Sequence, residues 1–314
     1  MDLSILIVSW NTCDLLDQCL KSIYETTKGI EYEVIVVDNA SSDSSVDMVK
    51  RKYPQVKLIS NTDNVGFARA NNHAYEISSA EFVMLLNPDT VVLDGSINRM
   101  LDVLKANDDC ATVAPKLLWN DRTVQPSIGE FPTLTHELID ALCLTRFTGK
   151  RHSSRFYVPN DNRLHDIAWA CGACLLIRRG ALRSASKILD ERYFMFSEET
   201  DLCKTVRMDG WRVCYEPNAA IVHLGSGSTS KVQKEMLARL YESKFLYFEK
   251  HHDTLYADVY RFIVLPIHLM VRLAGFLPGL VLKKSEYTRQ QTHPASQIYV
   301  LKKLVSWNGS DKVG

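Results

Sequence analysis

The sequence predicts an α/β fold in which helices cover both faces of a central, mostly parallel sheet. Over the first 110 residues, short apolar runs alternate with longer segments whose apolar residues recur at helical spacing. The short runs are apolar on both faces, which is typical of strands buried between two layers of helices. A content of 46% hydrophobic and 24% charged residues indicates a globular chain with a large core.

The first strand is predicted at residues 5–9, and Asn11 or Thr12 can cap the helix that follows. The apolar face of this helix consists of Leu16, Leu20, Ile23 and Tyr24. The second strand, "VIVVD", ends at Asp38 and precedes the capped helix "SSDSSVDMVKRKY". The third strand is "VKLIS", the third helix is "FARANNHAYEI", and the fourth strand is "FVMLL".

Polar residues follow each of these four strands. They are Ser9 and Trp10, Asp38 and Asn39, residues 61–66, and residues 87–89. In an open sheet of this kind, ligands bind beyond the carboxyl ends of the strands, so these positions are expected to converge on one edge. The stretch "LLNPDT" is also consistent with an ordinary strand-ending turn, since Asn, Pro and Asp are common turn residues.

The second half of the chain has a looser pattern. From about residue 111 the alternation stops, and "WNDRTVQPSIGEFPTLTHELIDAL" predicts an insertion before the strand "ACLLIRR". A helix is then predicted from Glu198 to Met208, ended by Gly210 and followed by a short strand.

Composition and missing motifs exclude several classes of function. Lys plus Arg and Asp plus Glu both number 37, so no basic field favours nucleic acid as a partner. The pair Cys171 and Cys174 lacks the second pair of a zinc site, which favours reduced thiols in a cytosolic protein. The N-terminus begins with an acid, so it predicts a first strand and no signal peptide. Neither a dinucleotide-binding GxGxxG nor a P-loop is present.

A nucleotide must therefore be held by other groups. An acid at the end of the second strand can accept hydrogen bonds from a base or ribose, and Asp38 fits this role. A carboxylate at the end of the fourth strand can ligate Mg²⁺ or Mn²⁺ that bridges a diphosphate, and Asp89 fits this one.

Six motifs follow one another between about residues 3 and 230: "VSWNTCDLLDQCLKSI", "VVDNASSDSS", "NVGFARANN", "LLNPDT", "FSEETDLC" and "AAIVHLGSGS". In order and spacing they resemble the inverting family-2 glycosyltransferases of the GT-A fold, and within them the bacterial rhamnosyltransferase-like group. The resemblance implies transfer of a sugar, with rhamnose as a candidate, from a dTDP-, UDP- or GDP-linked donor. The acceptor it implies is a hydroxyl of a cell-surface glycan or lipid-linked molecule.

The resemblance also implies roles for residues of the donor site. Its donor-binding residues are Ser9, Asp38, Asn39, Asn64, Gly66, Arg69, Asn87 and Pro88. The acid-x-acid metal motif of the family reads Asn87, Pro88, Asp89 here, so Asp89 is expected to be the main protein ligand of Mg²⁺ or Mn²⁺. His223 is the expected second ligand, with a hydrogen-bonded core or rim histidine as the alternative.

For the base, alignment of "EETDLC" with the family's Glu-Asp-x-Asp-Leu-Cys selects Glu199, and the longer side chain keeps Glu198 as a rival. These acids are equally consistent with an acidic first helical turn that the helix dipole stabilises. The acceptor residues implied are Trp169, Gly172 and Asp201. A core strand is the alternative for Trp169.

Residues 262–282 form an apolar run near the length of a membrane span. Pro266, Pro278 and the central Arg272 make it a poor span, whereas its aromatic and basic borders favour a segment in the membrane interface. A helix packed on the domain is the alternative. The predicted organisation is a nucleotide-sugar-binding half (1–110), an acceptor-binding and catalytic half of the same domain (111–250) and a helical tail (251–314), in a cytoplasmic protein peripheral to the inner face of the cell membrane.

Two rival functions stay open at this point. A sugar nucleotidyltransferase would carry a Gly-rich, basic loop after the first strand, where this chain has "SWNTCDLL". A nucleotide-sugar-binding or scaffolding protein with a degenerate site is favoured only by Asn87 in the metal motif.

Overall fold

In the computed structural model, the described residues are 1–142, 144, 156–159, 161–184, 186–225, 233–274 and 294–306. The strands are β1 (Leu3–Ser9), β2 (Tyr32–Asp38), β3 (Lys57–Ser60), β4 (Phe82–Leu86), β5 (Thr90–Val92), β6 (Cys110–Leu118), β7 (Val124–Gln125), β8 (Ile128–Gly129), β9 (His165–Asp166), β10 (Trp169–Ala170), β11 (Cys174–Arg178) and β12 (Arg212–His223). The helices are α1 (Cys13–Thr26), α2 (Ser45–Lys52), α3 (Phe67–Glu76), α4 (Ser96–Ala106), α5 (Leu134–Ala141), α6 (Glu198–Met208), α7 (Gln233–His251), α8 (Thr254–Val259), α9 (Leu265–Ala274) and α10 (Pro294–Ser306).

The predicted α/β fold with a central sheet is confirmed. The main sheet has the strand order β3-β2-β1-β4-β11-β6-β12-β5. Strands β1 to β4 pair in parallel, as do β6 and β12, whereas β11 runs antiparallel between β4 and β6. The carboxyl ends of β1, β2, β4, β6 and β12 therefore lie at one edge of the sheet.

The chain divides into two compact units. The first comprises residues 1–129, 156–191 and 198–228 and contains the sheet. Its core is apolar because both faces of the central strands are covered, and every residue of β1 is buried. The apolar faces of α1 and α4 pack into the same core through Leu16, Leu20, Met100 and Leu104.

The second unit comprises residues 130–155, 192–197 and 229–314. An aromatic cluster that includes Tyr247, Phe248 and Tyr260 forms its core. The Lys244 ammonium donates to the buried carboxylate of Glu137 at 2.8 Å and so neutralises its charge. A π-helical segment, Tyr260–Val264, joins α8 to α9, so that Thr254–Leu273 form one continuous helix. By length and composition alone this helix could cross a membrane, and 33% of its most apolar window is buried. Part of the predicted apolar tail, 275–282, lies outside the described residues.

Candidate active site

Asp38 ends β2, and it lies level with Ser9, the last residue of β1, in the parallel register. Asp38 Oδ2 accepts a hydrogen bond from the Ser41 amide at 3.0 Å. Among the described residues, no hydrogen-bond donor reaches its Oδ1, although this atom is buried. Buried acceptors are normally satisfied, so Oδ1 is suited to a ligand hydroxyl or N–H. Ser9 is fully buried, and its hydroxyl pairs with that of Thr12 at 2.9 Å.

The side chain of Asn39 ties the β3–α3 loop to the sheet. Its amide nitrogen donates to Asn64 Oδ1 at 2.8 Å and to the Gly66 carbonyl at 3.2 Å. Its Oδ1 accepts from the Asn61 amide at 3.0 Å and from the Val65 backbone at 3.1 Å. Asn39 therefore orders the predicted donor loop through its own hydrogen bonds.

Gly66 directly precedes α3 at its N-cap with φ at 87°, a conformation that residues with a Cβ rarely adopt. Its amide donates to Asn64 Oδ1 at 3.1 Å, which completes the loop. Arg69 is exposed on the first turn of α3, and its charge helps to lower the pKa of Glu191.

Asp89 and His223 meet at the carboxyl edge of the sheet. His223 ends β12 and pairs with Thr90 across β5, which brings it beside Asp89. The distance between Asp89 Oδ1 and His223 Nε2 is 3.5 Å, and both side chains are largely buried. The Leu224 amide also donates to the Asp89 carbonyl at 2.9 Å. The two residues that the sequence predicts as metal ligands are therefore neighbours.

Gln125, on β7, holds the other nitrogen of this histidine. Its Oε1 lies 3.1 Å from His223 Nδ1. A proton on Nδ1 leaves the Nε2 lone pair facing Asp89, which is the tautomer that a metal-binding histidine requires. Nitrogen and carboxylate ligands fit Mn²⁺, and Asn87 Oδ1 is a buried oxygen without a partner in the described part of the chain. Within that part, no group of three or more His, Cys, Asp or Glu side chains is arranged to hold a metal ion.

Glu198 and Glu199 lie at the start of α6, where the helix dipole favours acids. The backbone amide of Gly172 donates to the Glu199 carboxylate, and a Cβ on Gly172 would lie 3.4 Å from Glu199 Cβ. The next residue, Ala173, accepts a hydrogen bond from the Asn87 amide at 2.9 Å. These two contacts join the start of α6 to the predicted metal motif at the end of β4.

Burial raises the pKa of both glutamates. Burial is the main cause that raises the pKa of Glu198 well above its ordinary value of 4.5, and repulsion from the charge of Glu199 is the second. For Glu199 burial dominates, while its own amide and those of Gly172 and Thr200 oppose the shift. Each carboxyl has an Oε2 that no donor of the described residues reaches. Burial, then the charge of Glu199, raises the pKa of Cys171 to about 12, which places this thiol in the same acidic site.

The remaining predicted acceptor residues lie in packed positions. Trp169 is only 8% exposed, and its indole nitrogen lies 2.8 Å from where a Cβ would stand on Gly129. Its ring centroid is 5.1 Å from that of Phe156. Asp201 is buried in the first turn of α6.

Sequence reasoning missed Gln125 and Cys171. Cys171 directly precedes Gly172 and was considered only as a possible metal thiol. Gln125 lies in a two-residue strand with no periodicity of its own, so only the pairing of Leu117 with Gln125 places it at the site.

Comparisons with known proteins agree with this architecture. The family model described as glycosyl transferase family 2 matches residues 4–185. An N-acetylglucosaminyl-diphospho-decaprenol L-rhamnosyltransferase of Mycobacterium tuberculosis is 27% identical over 290 residues, which is 86% of this chain and 93% of that protein. A poly(ribitol-phosphate) beta-glucosyltransferase of Bacillus spizizenii is 32% identical over 45% of this chain and 23% of its own length.

Two solved structures share the fold. A mannosyltransferase from Pyrobaculum calidifontis in complex with GDP-Man and Mn²⁺ superposes with a TM-score of 0.58 at 17% identity, over 97% of this chain and 87% of that one. GalNAc-T7 with UDP, GalNAc and Mn²⁺ gives a TM-score of 0.55 at 12% identity, over 79% of this chain and 50% of that one. Both are glycosyltransferases, and the predicted GT-A architecture is therefore confirmed.

Proposed function

This chain belongs to glycosyl transferase family 2, and from that premise we propose that it is a metal-dependent, inverting enzyme acting on a lipid-linked or glycan acceptor. One observation carries the proposal. The Asp89–His223 pair and the Glu199 carboxylate are anchored to the same sheet edge through the Asn87–Ala173 and Gly172–Glu199 hydrogen bonds. These contacts support a proposed diphosphate site and a candidate base held at the same edge of the sheet.

Donor binding uses the ends of β1, β2 and β4. Asp38 Oδ1 accepts a hydrogen bond from the base or ribose, and the loop held by Asn39 covers the nucleotide. Asp89 and His223 would hold Mg²⁺ or Mn²⁺, which, when bound, neutralises the diphosphate leaving group. Asn87 Oδ1 offers a further neutral oxygen in place of the carboxylate usual in this motif.

Glu199 removes the proton of the acceptor hydroxyl. The Gly172 amide donates to its carboxylate, and its buried Oε2, which no donor of the described residues reaches, would accept the proton of the acceptor hydroxyl. As it loses its proton, the acceptor oxygen attacks the anomeric carbon from the face opposite the diphosphate, and the bond to the diphosphate breaks. This single displacement inverts the anomeric centre. Burial supports this role, since a raised pKa makes the carboxylate a stronger base.

Rhamnose is the favoured donor sugar and a lipid diphosphate-linked sugar the favoured acceptor. Support comes from the M. tuberculosis relative, whose name states both and whose length this chain spans almost fully. A lipid-linked acceptor also gives a purpose to the exposed side chains of Leu255, Phe262, Ile263 and Met270. They suit a protein peripheral to the inner face of the cell membrane.

The test is transfer by purified protein from dTDP-, UDP- and GDP-sugars with Mn²⁺, with excess chelator, and with Asp89→Ala. Transfer should require the cation and vanish in Asp89→Ala, while the unfolding temperature stays near that of the wild type. Asp94→Ala is the matched control, because Asp94 is an exposed acid five residues along the chain. Full activity in chelator or in Asp89→Ala would overturn the metal role. Pyrophosphate-dependent conversion of the donor to a nucleoside triphosphate and a sugar 1-phosphate would favour the nucleotidyltransferase, and donor binding without any turnover would favour the binding protein.

A further inference from the structure

Trp119 is a large aromatic residue at the active-site edge without a role in the function proposed above. It directly follows β6, and 40% of its surface is exposed. Tryptophan is highly buried on average, and an exposed indole beside a proposed ligand site offers a large aromatic face for contact with the ligand. Sequence reasoning passed over this position because it considered only the polar residues after the first four strands.

The strand register places Trp119 beside His223. Strands β6 and β12 pair in parallel, with Leu117 opposite Ile221 and Leu118 opposite Val222. Extending this register by one residue past the end of β6 would bring Trp119 level with His223, at a strand spacing of about 4.8 Å and on the same face of the sheet. The contact with Gly225 agrees, because a Cβ there would lie 3.2 Å from Trp119 Cζ3.

Hydrogen bonds order the short turn that carries Trp119. The Trp119 amide donates to the Thr123 carbonyl at 2.8 Å, and the Arg122 amide donates back to the Trp119 carbonyl at 2.9 Å. Asp121 braces this turn by accepting from the Thr123 hydroxyl at 2.6 Å. A backbone that is already ordered lowers the entropic cost of binding through the residue it carries. The same hairpin carries Gln125. One hairpin therefore both contacts His223 and presents the indole of Trp119.

We propose that Trp119 is the stacking platform for the sugar ring of the acceptor. One face of a pyranose is rich in C–H groups and packs on an aromatic face, while its hydroxyls stay hydrated or hydrogen-bonded. The proposal rests on the glycosyltransferase function given above and adds a subsite to it. The nucleotide base is too far away to be the occupant, because Asp38 lies four strands from β6, or about 19 Å. The exposure of the indole suits the substrate that enters from solvent.

The test compares Trp119→Ala and Trp119→Phe with Val124→Ala. Val124 is 42% exposed on the same hairpin, and it pairs with Leu118, so it points to the opposite face from Trp119. The acceptor probe is N-acetylglucosaminyl diphosphate on a short alkyl chain, the type that the relative's name states. In Trp119→Ala we expect the acceptor KM to rise about tenfold, with the donor KM unchanged. Trp119→Phe should be intermediate and Val124→Ala like the wild type.

An unchanged acceptor KM in Trp119→Ala, or a rise confined to the donor KM, would overturn the inference. Saturation-transfer NMR with the same probe gives a readout without turnover. The sugar protons should receive saturation from the wild type and lose it in Trp119→Ala; equal signals in both, or none in the wild type, also overturn it. If the wild type transfers no sugar but its saturation-transfer signal is lost in Trp119→Ala, the proposed function has failed while the subsite is correct.

Discussion

Adjacent glutamates at the start of α6 have different surroundings. The carboxylate of Glu199 accepts a hydrogen bond from the Gly172 amide, and the residue as a whole is half-buried although its Oε2 is buried, whereas Glu198 is only 5% exposed. A base must reach the acceptor, and exposure favours Glu199 for that role. Glu198 is suited to influencing the protonation of its neighbour, because the charges of the two carboxylates would repel each other.

Glu199→Gln keeps the shape of the side chain and removes the base. Transfer should fall by about 10²–10⁴-fold, the usual contribution of a positioned general base. Donor binding should be retained, since Asp38 ends β2 and Asp89 lies in the turn between β4 and β5, both outside α6. Initial rates with each glutamate variant, together with thermal stabilisation by the nucleotide-sugar, measure this. A dead Glu198→Gln beside an active Glu199→Gln would exchange the two roles.

The wild-type pH profile should carry the signature of this base. Because burial raises the pKa of Glu199, kcat/KM should decline on the acid side at a pH above the ordinary 4.5. If kcat/KM, measured at constant Mn²⁺ saturation, declines only at or below pH 4.5, the base is not buried.

Glu198→Gln should stabilise the protein in a pH-dependent way. A carboxyl with a raised folded-state pKa binds more protons when folded, so its contribution is fully present below 4.5 and is lost as the pH rises through the raised value. The variant should therefore melt a few degrees above the wild type at pH 7, with each pKa unit worth about 1.4 kcal/mol. Near pH 4 the difference should close. An equal gain at both pH values would show that ionisation is not its cause.

Gln125→Leu should weaken the cation site without disturbing the hairpin. Loss of the Oε1 contact frees the His223 ring to rotate and to change tautomer. Such outer contacts are typically worth about 10–100-fold in metal affinity. Mn²⁺ binding in the presence of a nucleoside diphosphate, followed by electron paramagnetic resonance, measures this directly. Gln18→Leu, on the surface of α1, is the control, and equal affinities in all three proteins would remove Gln125 from the site.

At the scale of elements, the sequence predicted β1 to β4 and their helices because each carries a strong period of its own. The helix Glu198–Met208 was also correct, including its end near Gly210, where φ is 88°. The strand after it was predicted as short, yet β12 has 12 residues. Strands β7 to β10 have two residues each and are held by tertiary pairing, so no local pattern could show them.

The β3–α3 loop depends on one side chain, and this makes it testable as an element. Asn39→Ala removes four hydrogen bonds, to Asn61, Asn64, Val65 and Gly66. Each is worth about 1 kcal/mol, so the loop should open while the sheet stays folded. Amide exchange over residues 61–66 should accelerate and the donor KM should rise. Asn98→Ala removes a single exposed hydrogen bond to Lys28 and is the control. Exchange in Asn39→Ala as slow as in the wild type would show that the Asn39 side chain does not hold this loop.

At the scale of the whole molecule, residues far apart in sequence form each unit. Residues 130–155 and 192–197 group with 229–314, which only long-range contacts could reveal. The functional roles assigned to 1–110, 111–250 and 251–314 stay a prediction. The convergence of Asp89 with His223 was predictable from the motifs. The burial of Trp169 and the hydrogen bonds of Asn39 to the β3–α3 loop depend on packing, which no local pattern shows.

The helix Thr254–Leu273 offers a prediction for the complete protein. Phe262, Ile263 and Met270 are 63%, 53% and 58% exposed, while Tyr260, Val264 and Leu269 are buried in the second unit. The helix thus has one packed face and one apolar exposed face, which suits the membrane interface better than a span. Replacing the three exposed residues by Ser should lower binding to anionic vesicles about tenfold or more, because each side chain contributes burial of apolar area.

Flotation with phosphatidylglycerol vesicles measures this, and circular dichroism confirms that the helices persist. The matched control replaces Ile77 and Met208 by Ser, which are 46% and 63% exposed elsewhere on the chain. If any exposed apolar side chain sufficed, both variants would lose binding equally. Transfer to a water-soluble short-chain acceptor should be unaffected by the helix variant, while transfer to a long-chain acceptor in vesicles should fall with binding. Equal flotation of wild type and helix variant would mean that this face serves no membrane contact.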